Sequence, residues 1–434
     1  MTASMLFSDI DLVNEKGIHT SHAYVGVTGD RIDYVGTSAP EKLYESVYKG
    51  QGRVLMPALY NAHSHLPMVL MRGMGENLPL DRWLNEAIFP IEEHLCEEYS
   101  YSAMMLGIAE SLRFGVVSFT DMYYDSAARA SAAIATGVKL NLGHSILSSD
   151  EELHFHDLPE CSLDKQLIRG FNEAANGRIK VDFNLHAEYT STRTIAEEVA
   201  SAAHEAGLRI QVHASETKDE VMGCKERHDG MTPIEYLADC GILDVPATLA
   251  HCVWLEQDDC RILAEKGAFV ATCPASNAKL GSGIADVLGM RKAGITVALG
   301  TDGVASNNNH NMFKDMYLLA MMQRAQLCTP VALSASEIIT IATRNGALSQ
   351  GREDCGQIKV GAKADLIVLD IDTPWFQPVD NLVSNIVYSA QGSDVVLTMA
   401  DGVVLYRDGE YTTIDIEKTI ADTCAASKAM MAQI

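Results

Sequence analysis

Ala58-Leu59-Tyr60-Asn61-Ala62-His63-Ser64-His65 is a short apolar run that turns polar at its end. The same design recurs along the chain, at 116–123, 139–145, 180–188, 209–216, 247–253, 268–276 and 296–303. Most of these runs are apolar almost throughout, as expected of parallel strands buried on both faces. Helical patterns separate them, for example at 97–114, 194–206, 258–266 and 286–293. Eight strand–helix units in sequence predict an α/β architecture, a (β/α)8 TIM barrel spanning residues 58–349.

Outside that span the pattern changes. Residues 5–13, 23–28, 31–35 and 54–56 read as short strands, and so do 364–369, 395–400 and 403–406, with Asp401-Gly402 as a hairpin turn. Residues 1–57 and 350–434 are therefore expected to form one small β-sandwich domain built from both termini. The last stretch, 416–434, reads as an amphipathic helix lying on the barrel.

Composition narrows the function classes. The 434 residues hold 33 Lys+Arg against 58 Asp+Glu, a net charge of −25. Such a surface repels phosphate backbones, so nucleic acid is not an expected partner. Ten cysteines are scattered with no Cys-x-x-Cys pair, which suits free thiols in a reducing compartment. The first twelve residues lack a basic, then apolar, leader, and no apolar run approaches the roughly 20 residues of a membrane span. The expectation is a cytoplasmic enzyme that assembles as a homo-oligomer.

The chemistry lies in how the strands end. The first closes on His63-Ser64-His65, the fourth on His186, and the fifth on His213 followed by Glu216; the sixth carries His251 and the eighth Asp302. A (β/α)8 barrel gathers such strand ends at one mouth. Residues i and i+2 of a strand share a face, so His63 and His65 can chelate one ion. One histidine alone is ordinary, but polar groups at five strand ends are costly to bury unless they serve a site. Imidazoles with a carboxylate suit one divalent metal, zinc first, with Fe²⁺ and Mn²⁺ as rivals. A coordination position left for water would bring the pKa of that water to about 7.

Asn61-Ala62-His63-Ser64-His65-Leu66-Pro67-Met68 with Leu70-Met71-Arg72-Gly73 resembles the first-strand signature of the amidohydrolase superfamily. The resemblance narrows to the 5′-methylthioadenosine/S-adenosylhomocysteine deaminase family, with triazine hydrolases as relatives. It continues through Phe89-Pro90-Ile91-Glu92, Val212-His213-Ala214-Ser215-Glu216, Leu249-Ala250-His251-Cys252, Pro274-Ala275-Ser276-Asn277 and Leu299-Gly300-Thr301-Asp302-Gly303. It implies His63, His65, His213 and Asp302 as metal ligands. It further implies Glu216 as the general acid/base, His251 beside the attacking water, and Asp302 as acceptor of that water's remaining proton. His186 would touch the substrate, Glu92 would accept two ribose hydroxyls, and Trp83 would wall the base pocket. The implied reaction is hydrolytic deamination of an adenine ring to hypoxanthine with release of ammonia.

Two features bear on the substrate. Family members that accept S-adenosylhomocysteine tend to present arginines near the third strand, whereas this strand ends Gly143-His144-Ser145, with His144 expected at the substrate. The loop beyond is acidic, with Asp150, Glu151, Glu152, Asp157 and Glu160. Both favour adenosine, 5′-deoxyadenosine or methylthioadenosine over a substrate with a carboxylate tail. His154 and His156 in that loop read as solvated residues, and His310 as a contact within its own loop. Rival readings are a deaminase or chlorohydrolase of a free base or s-triazine, a two-metal hydantoinase type, and a non-catalytic metal-binding barrel. The two-metal type needs a lysine on the fourth strand, and Asp182-Phe183-Asn184-Leu185-His186 has none.

Overall fold

A computed structural model describes residues 4–433. The expectations for residues 1–3 and for the final residue of the C-terminal helix lie outside it. Eight parallel strands curl into the barrel: β1 (Leu59–His65), β2 (Val116–Tyr123), β3 (Lys139–Ile146), β4 (Phe183–Ala187), β5 (Ile210–Ala214), β6 (Ala247–His251), β7 (Phe269–Thr272) and β8 (Thr296–Leu299). They pair in chain order, and the ring closes where Asp302 and Gly303, just past β8, pair with Ser64 and His65 of β1. Residues on both faces of these strands are buried, polar ones included. Gly300 sits at the seam. A Cβ there would come 2.9 Å from His63 Cβ and 3.0 Å from Cys273 Sγ, so the seam demands glycine.

Both ends of the chain contribute to a second sheet. Ser4–Val13, His19–Thr28, Arg31–Gly36, Ser46–Lys49 and Arg53–Pro57 join Leu366–Asp370, Val395–Ala400, Val403–Arg407 and Glu410–Tyr411. That sheet encloses its own apolar core, including Phe7, Ile10, Val25, Leu55, Val368 and Leu397. The Asp401-Gly402 turn has positive φ at both residues (44° and 73°), as the expected hairpin requires. Lys139 at the foot of β3, only 2 % exposed, bridges to the terminal sheet through Asp365 at 2.6 Å and Asp401 at 2.7 Å. The helix Ile416–Met431 lies against the barrel, where its Thr423 and Ser427 hydroxyls donate to the carbonyls of Ser102 and Leu70.

Several elements stop earlier than the sequence suggests. The run 268–276 divides, because Pro274 starts a helix (Pro274–Lys279) that carries Ser276 and Asn277 into the mouth of the barrel. The run 209–216 ends at Ala214, and the chain then turns through Ser215 at φ 52°.

Candidate active site

His63, His65, His213, His251, Glu216 and Asp302 converge at the C-terminal end of the barrel, each 8 % exposed or less. His65 Nε2 lies 3.2 Å from Asp302 Oδ1 and 3.3 Å from His213 Nε2, and His63 Nε2 lies 3.5 Å from the same Asp302 oxygen. The donor atoms form two overlapping triads, His63 with His65 and His213, and His63 with His251 and Asp302, and the atoms of each triad lie within 4.8 Å of one another. The far side of each ring is held in place. His65 Nδ1–H donates to the Met122 carbonyl, and His213 Nδ1–H donates to the His186 carbonyl at 2.7 Å. His63 Nδ1 pairs with the Gln211 side-chain amide at 2.8 Å. In His65 and His213, protonation at Nδ1 leaves the Nε2 lone pair pointing inward, the tautomer a metal ligand needs.

The charge balance fits the same reading. Burial lowers His63 to about 4, and burial with the neighbouring imidazoles lowers His213 well below its ordinary range, so both rings are neutral donors. His63 Nε2 is buried without a hydrogen-bond partner. An orphaned imidazole nitrogen facing a carboxylate is costly in isolation and is satisfied by a divalent cation. Burial acts to raise Asp302, yet the imidazoles of His63, His65 and His251 beside it hold it well below the usual carboxylate range. Its Oδ2 accepts from Ser276 Oγ at 2.5 Å and Ser306 Oγ at 2.9 Å, which leaves Oδ1 turned to the histidines. The residues present therefore fit one divalent metal.

Local backbone shape aims these groups. His251 has φ 72° and Asp302 φ 63°, left-handed conformations that cost non-glycine residues on the order of 1 kcal/mol each and concentrate at functional sites. Asp121 braces the end of β1 from β2. Its Oδ2 accepts the Leu66 N–H at 2.7 Å and the Ser64 hydroxyl at 3.1 Å, while its Oδ1 pairs with the fully buried Arg129 at 2.6 Å. Arg129 also donates to the Tyr123, Tyr124 and Gly143 carbonyls, tying three neighbouring segments of the barrel rim together.

Facing the metal-ready cluster, Glu216 accepts from Ser282 Oγ at 3.1 Å and lies 3.6 Å from His251 Nε2. Burial raises its carboxyl above the ordinary range. The turn that carries Glu216 is wrapped around Glu220, whose carboxylate accepts the backbone N–H groups of Ser215 and Glu216, both at 2.7 Å. His251 Nδ1–H donates to Asn277 Oδ1 at 2.8 Å, which turns Nε2 towards Glu216.

These groups open into a chamber lined by Trp83, Leu84, Ile88, Phe89, Glu92, Tyr123, Tyr124, Ser145, His186, Tyr189 and Leu280. Glu92, Trp83 and His186 thus take chamber positions. His186 is pressed down to about 3 by burial and is neutral; its Nδ1 pairs with Thr190 Oγ1 at 2.8 Å. His144 does not line the chamber. Side chains alternate along a strand, so its neighbour Ser145 faces the chamber while His144 lies 3.4 Å from Asp164. The sequence reading missed Tyr123, Tyr124 and Tyr189. Tyr123 is the last residue of β2, so the rule that site residues end strands would have found it. Its hydroxyl is buried beside Glu92 and has no hydrogen-bond partner among the described residues. Burial raises the Glu92 carboxyl to about 7, while the tyrosine hydroxyls and His65 pull the other way.

Comparison with known proteins agrees with this geometry. The chain is 37 % identical over 427 residues to a 5′-deoxyadenosine deaminase of Methanothermobacter thermautotrophicus, covering 98 % of both chains. It is 38 % identical over 396 residues to a 5-methylthioadenosine/S-adenosylhomocysteine deaminase of Thermoanaerobacter pseudethanolicus, 91 % of each. A zinc-bound adenosine deaminase from Xanthomonas campestris superposes with a TM-score of 0.91 at 26 % identity over 99 % of both chains. The atrazine chlorohydrolase TrzN of Arthrobacter aurescens shares the fold, with a TM-score of 0.90 at 22 % identity over 98 % of this chain and all of the other. The amidohydrolase family profile matches residues 54–405, and the chain belongs to the amidohydrolase family.

Proposed function

We propose that the protein is a zinc-dependent hydrolytic deaminase of adenosine-type nucleosides with a small, neutral 5′ group. The observation that carries this reading is the pairing of two ends of one chamber. One end gathers His63, His65, His213, His251 and Asp302 with Glu216, and the other holds Glu92 with Tyr123 and Tyr124. A bound divalent cation supplies water activated for attack at neutral pH. The protein's own groups do the rest. Trp83, Leu84, Ile88, Phe89 and Leu280 form apolar walls for a flat base. Glu216 takes one proton from the attacking water and delivers it to the ring nitrogen next to the attacked carbon, and the amino group leaves as ammonia with the second water proton, handed on by Asp302. The raised pKa of Glu216 suits a carboxyl that must hold and release a proton near neutrality. His251, held by Asn277, donates from Nε2 to the oxygen arriving at the carbon. Asp302 takes the remaining water proton.

In this reading Glu92, at the far end of the chamber, accepts both ribose hydroxyls, a use that a free base or a triazine would leave unfilled. No Lys or Arg lines the chamber itself among the described residues; Arg82, Lys218 and Arg227 line the adjoining cleft, which shares Leu80, Leu84, Tyr189 and Leu280 with it. The test follows ultraviolet absorbance of zinc-loaded enzyme with adenosine, 5′-deoxyadenosine, methylthioadenosine, S-adenosylhomocysteine, guanine and a chlorotriazine. Conversion of the adenine band to that of hypoxanthine, with S-adenosylhomocysteine slowest of the nucleosides, is expected. S-adenosylhomocysteine ranking first would overturn the reading of the 5′ pocket. Turnover of guanine or the triazine alone would overturn the nucleoside assignment.

A further inference from the structure

The connection after β3 carries a second set of metal-type donors, away from the barrel mouth. It contains the short helical turn Phe155–Asp157 and packs on the helix Arg193–Ala206, which follows β4. Glu198 of that helix is fixed in place. Its Oε1 pairs with His154 Nδ1 at 2.6 Å, and its Oε2 accepts the Phe155 backbone N–H at 2.6 Å. The His156 ring lies beside that of His154, with centroids 5.3 Å apart and planes tilted by 32°. Asp157 lies at the same place, 3.5 Å from His156 Nε2, and accepts the His154 N–H at 3.1 Å. Ligand atoms of His154, His156 and Glu198 all lie within 4.8 Å of one another.

The geometry points to a second divalent-cation site, in which His154, His156 and Glu198 bind zinc or a similar borderline ion and clip the β3 connection to the helix after β4. The His154–Glu198 pair on its own is an ordinary surface contact, because half of the His154 side chain is exposed. His156 is what that account leaves over. Its side chain is 69 % exposed and has no part in holding the turn, yet it stands where a third ligand belongs. Two imidazoles and one carboxylate form a donor set typical of zinc and its neighbours in the first transition row, and the exposed side leaves room for water as a further ligand. The strongly acidic surface raises the local concentration of cations. A cation here would tie together the segments that follow Ser145 and His186, two residues of the substrate chamber.

The experiment starts from enzyme whose barrel site is already filled with zinc, and titrates in further Zn²⁺ against a chromogenic chelator. The wild type is expected to take up one additional equivalent. His156→Ala and Glu198→Gln should each weaken that equivalent at least tenfold while retaining the first one and the deaminase activity. Both positions are surface-exposed or partly so, and the amide oxygen introduced by Glu198→Gln can still accept the Phe155 N–H, so folding is preserved. With Cu²⁺ in place of the added zinc, electron paramagnetic resonance should show coupling to two imidazole nitrogens, reduced to one in His156→Ala. Absence of a second equivalent overturns the proposal. So does an equivalent that both variants bind as tightly as the wild type, which would place it elsewhere, for instance at Glu188, Cys224 and His228. Because metal content is read directly, neither outcome depends on which nucleoside the barrel site accepts.

Discussion

Glu92 makes the nucleoside assignment testable through pH. Burial raises its carboxyl to about 7, so the ionised form, which accepts two hydroxyl hydrogen bonds, is the minority species in mildly acidic solution. With that value, the ionised fraction rises from roughly 3 % at pH 5.5 to about 97 % at pH 8.5. A hydrogen bond to a charged acceptor contributes about 1 kcal/mol more than one to a neutral acceptor, so two ribose hydroxyls separate the ionised from the neutral state by about 2 kcal/mol, or roughly thirtyfold. The measurement is kcat/KM for adenosine divided by kcat/KM for 2′,3′-dideoxyadenosine, across that pH range. Every pH effect on water activation or on Glu216 is common to both substrates and cancels in the ratio. The profile of kcat/KM reports groups of the free enzyme, which is the state the structure describes. The ratio should climb about tenfold or more as pH rises through 7 and then level off. In Glu92→Gln it should be flat with pH and lower than the wild-type plateau by about 2–3 kcal/mol, one and a half to two decades. A wild-type ratio that does not move with pH, together with a Glu92→Gln variant that still prefers adenosine, would refute the assignment of Glu92 to the ribose.

Other expectations follow from individual groups. Glu216→Gln keeps the hydrogen bond from Ser282 but cannot carry a proton, so kcat should fall by about 10²–10⁴ with zinc content unchanged, as read by steady-state kinetics and metal analysis. Arg129→Met leaves Asp121 buried and unpaired beneath Ser64 and Leu66, and the metal should bind about 10–100-fold more weakly, as measured by competition with a chelator. Lys139→Met strands Asp365 and Asp401 between the barrel and the terminal sheet, a loss of about 3–5 kcal/mol in urea unfolding. Removing metal with a chelator should abolish deamination, and added zinc should restore it. Recovery of full activity in stringently metal-free enzyme would sink the proposed mechanism.

What the sequence made legible follows from where each signal is stored. The barrel was readable because both faces of its strands are buried, so short runs such as Ala247–His251 and Thr296–Leu299 are largely apolar, although Val116–Tyr123 and Lys139–Ile146, buried at every residue, carry polar groups too. The metal-ready groups were readable because a barrel collects strand ends, which turns residues as far apart in the chain as His63 and Asp302 into neighbours before any coordinates are known. The limits appear where side-chain direction decides. His144 and Ser145 are adjacent at the end of β3, and only the pleat assigns one to the chamber and the other to Asp164. Tyr123 ends β2, where the strand-end rule points, yet it reads as an aromatic strand former until its hydroxyl is seen beside Glu92. Supporting groups are still less visible, since Glu220 reads as the acidic residue of a helix start. It is indeed the partner of Thr217 in that cap, but its carboxylate also gathers the N–H groups of Ser215 and Glu216. One side chain therefore does two jobs, starting a helix and fixing the residue proposed to move the proton. That coupling gives Glu220→Gln a distinct signature: its amide cannot accept at both ends, so a stability loss of about 1–3 kcal/mol should come with a fall in kcat rather than a rise in KM. A stability loss with unchanged kcat would mean that Glu220 serves the helix alone.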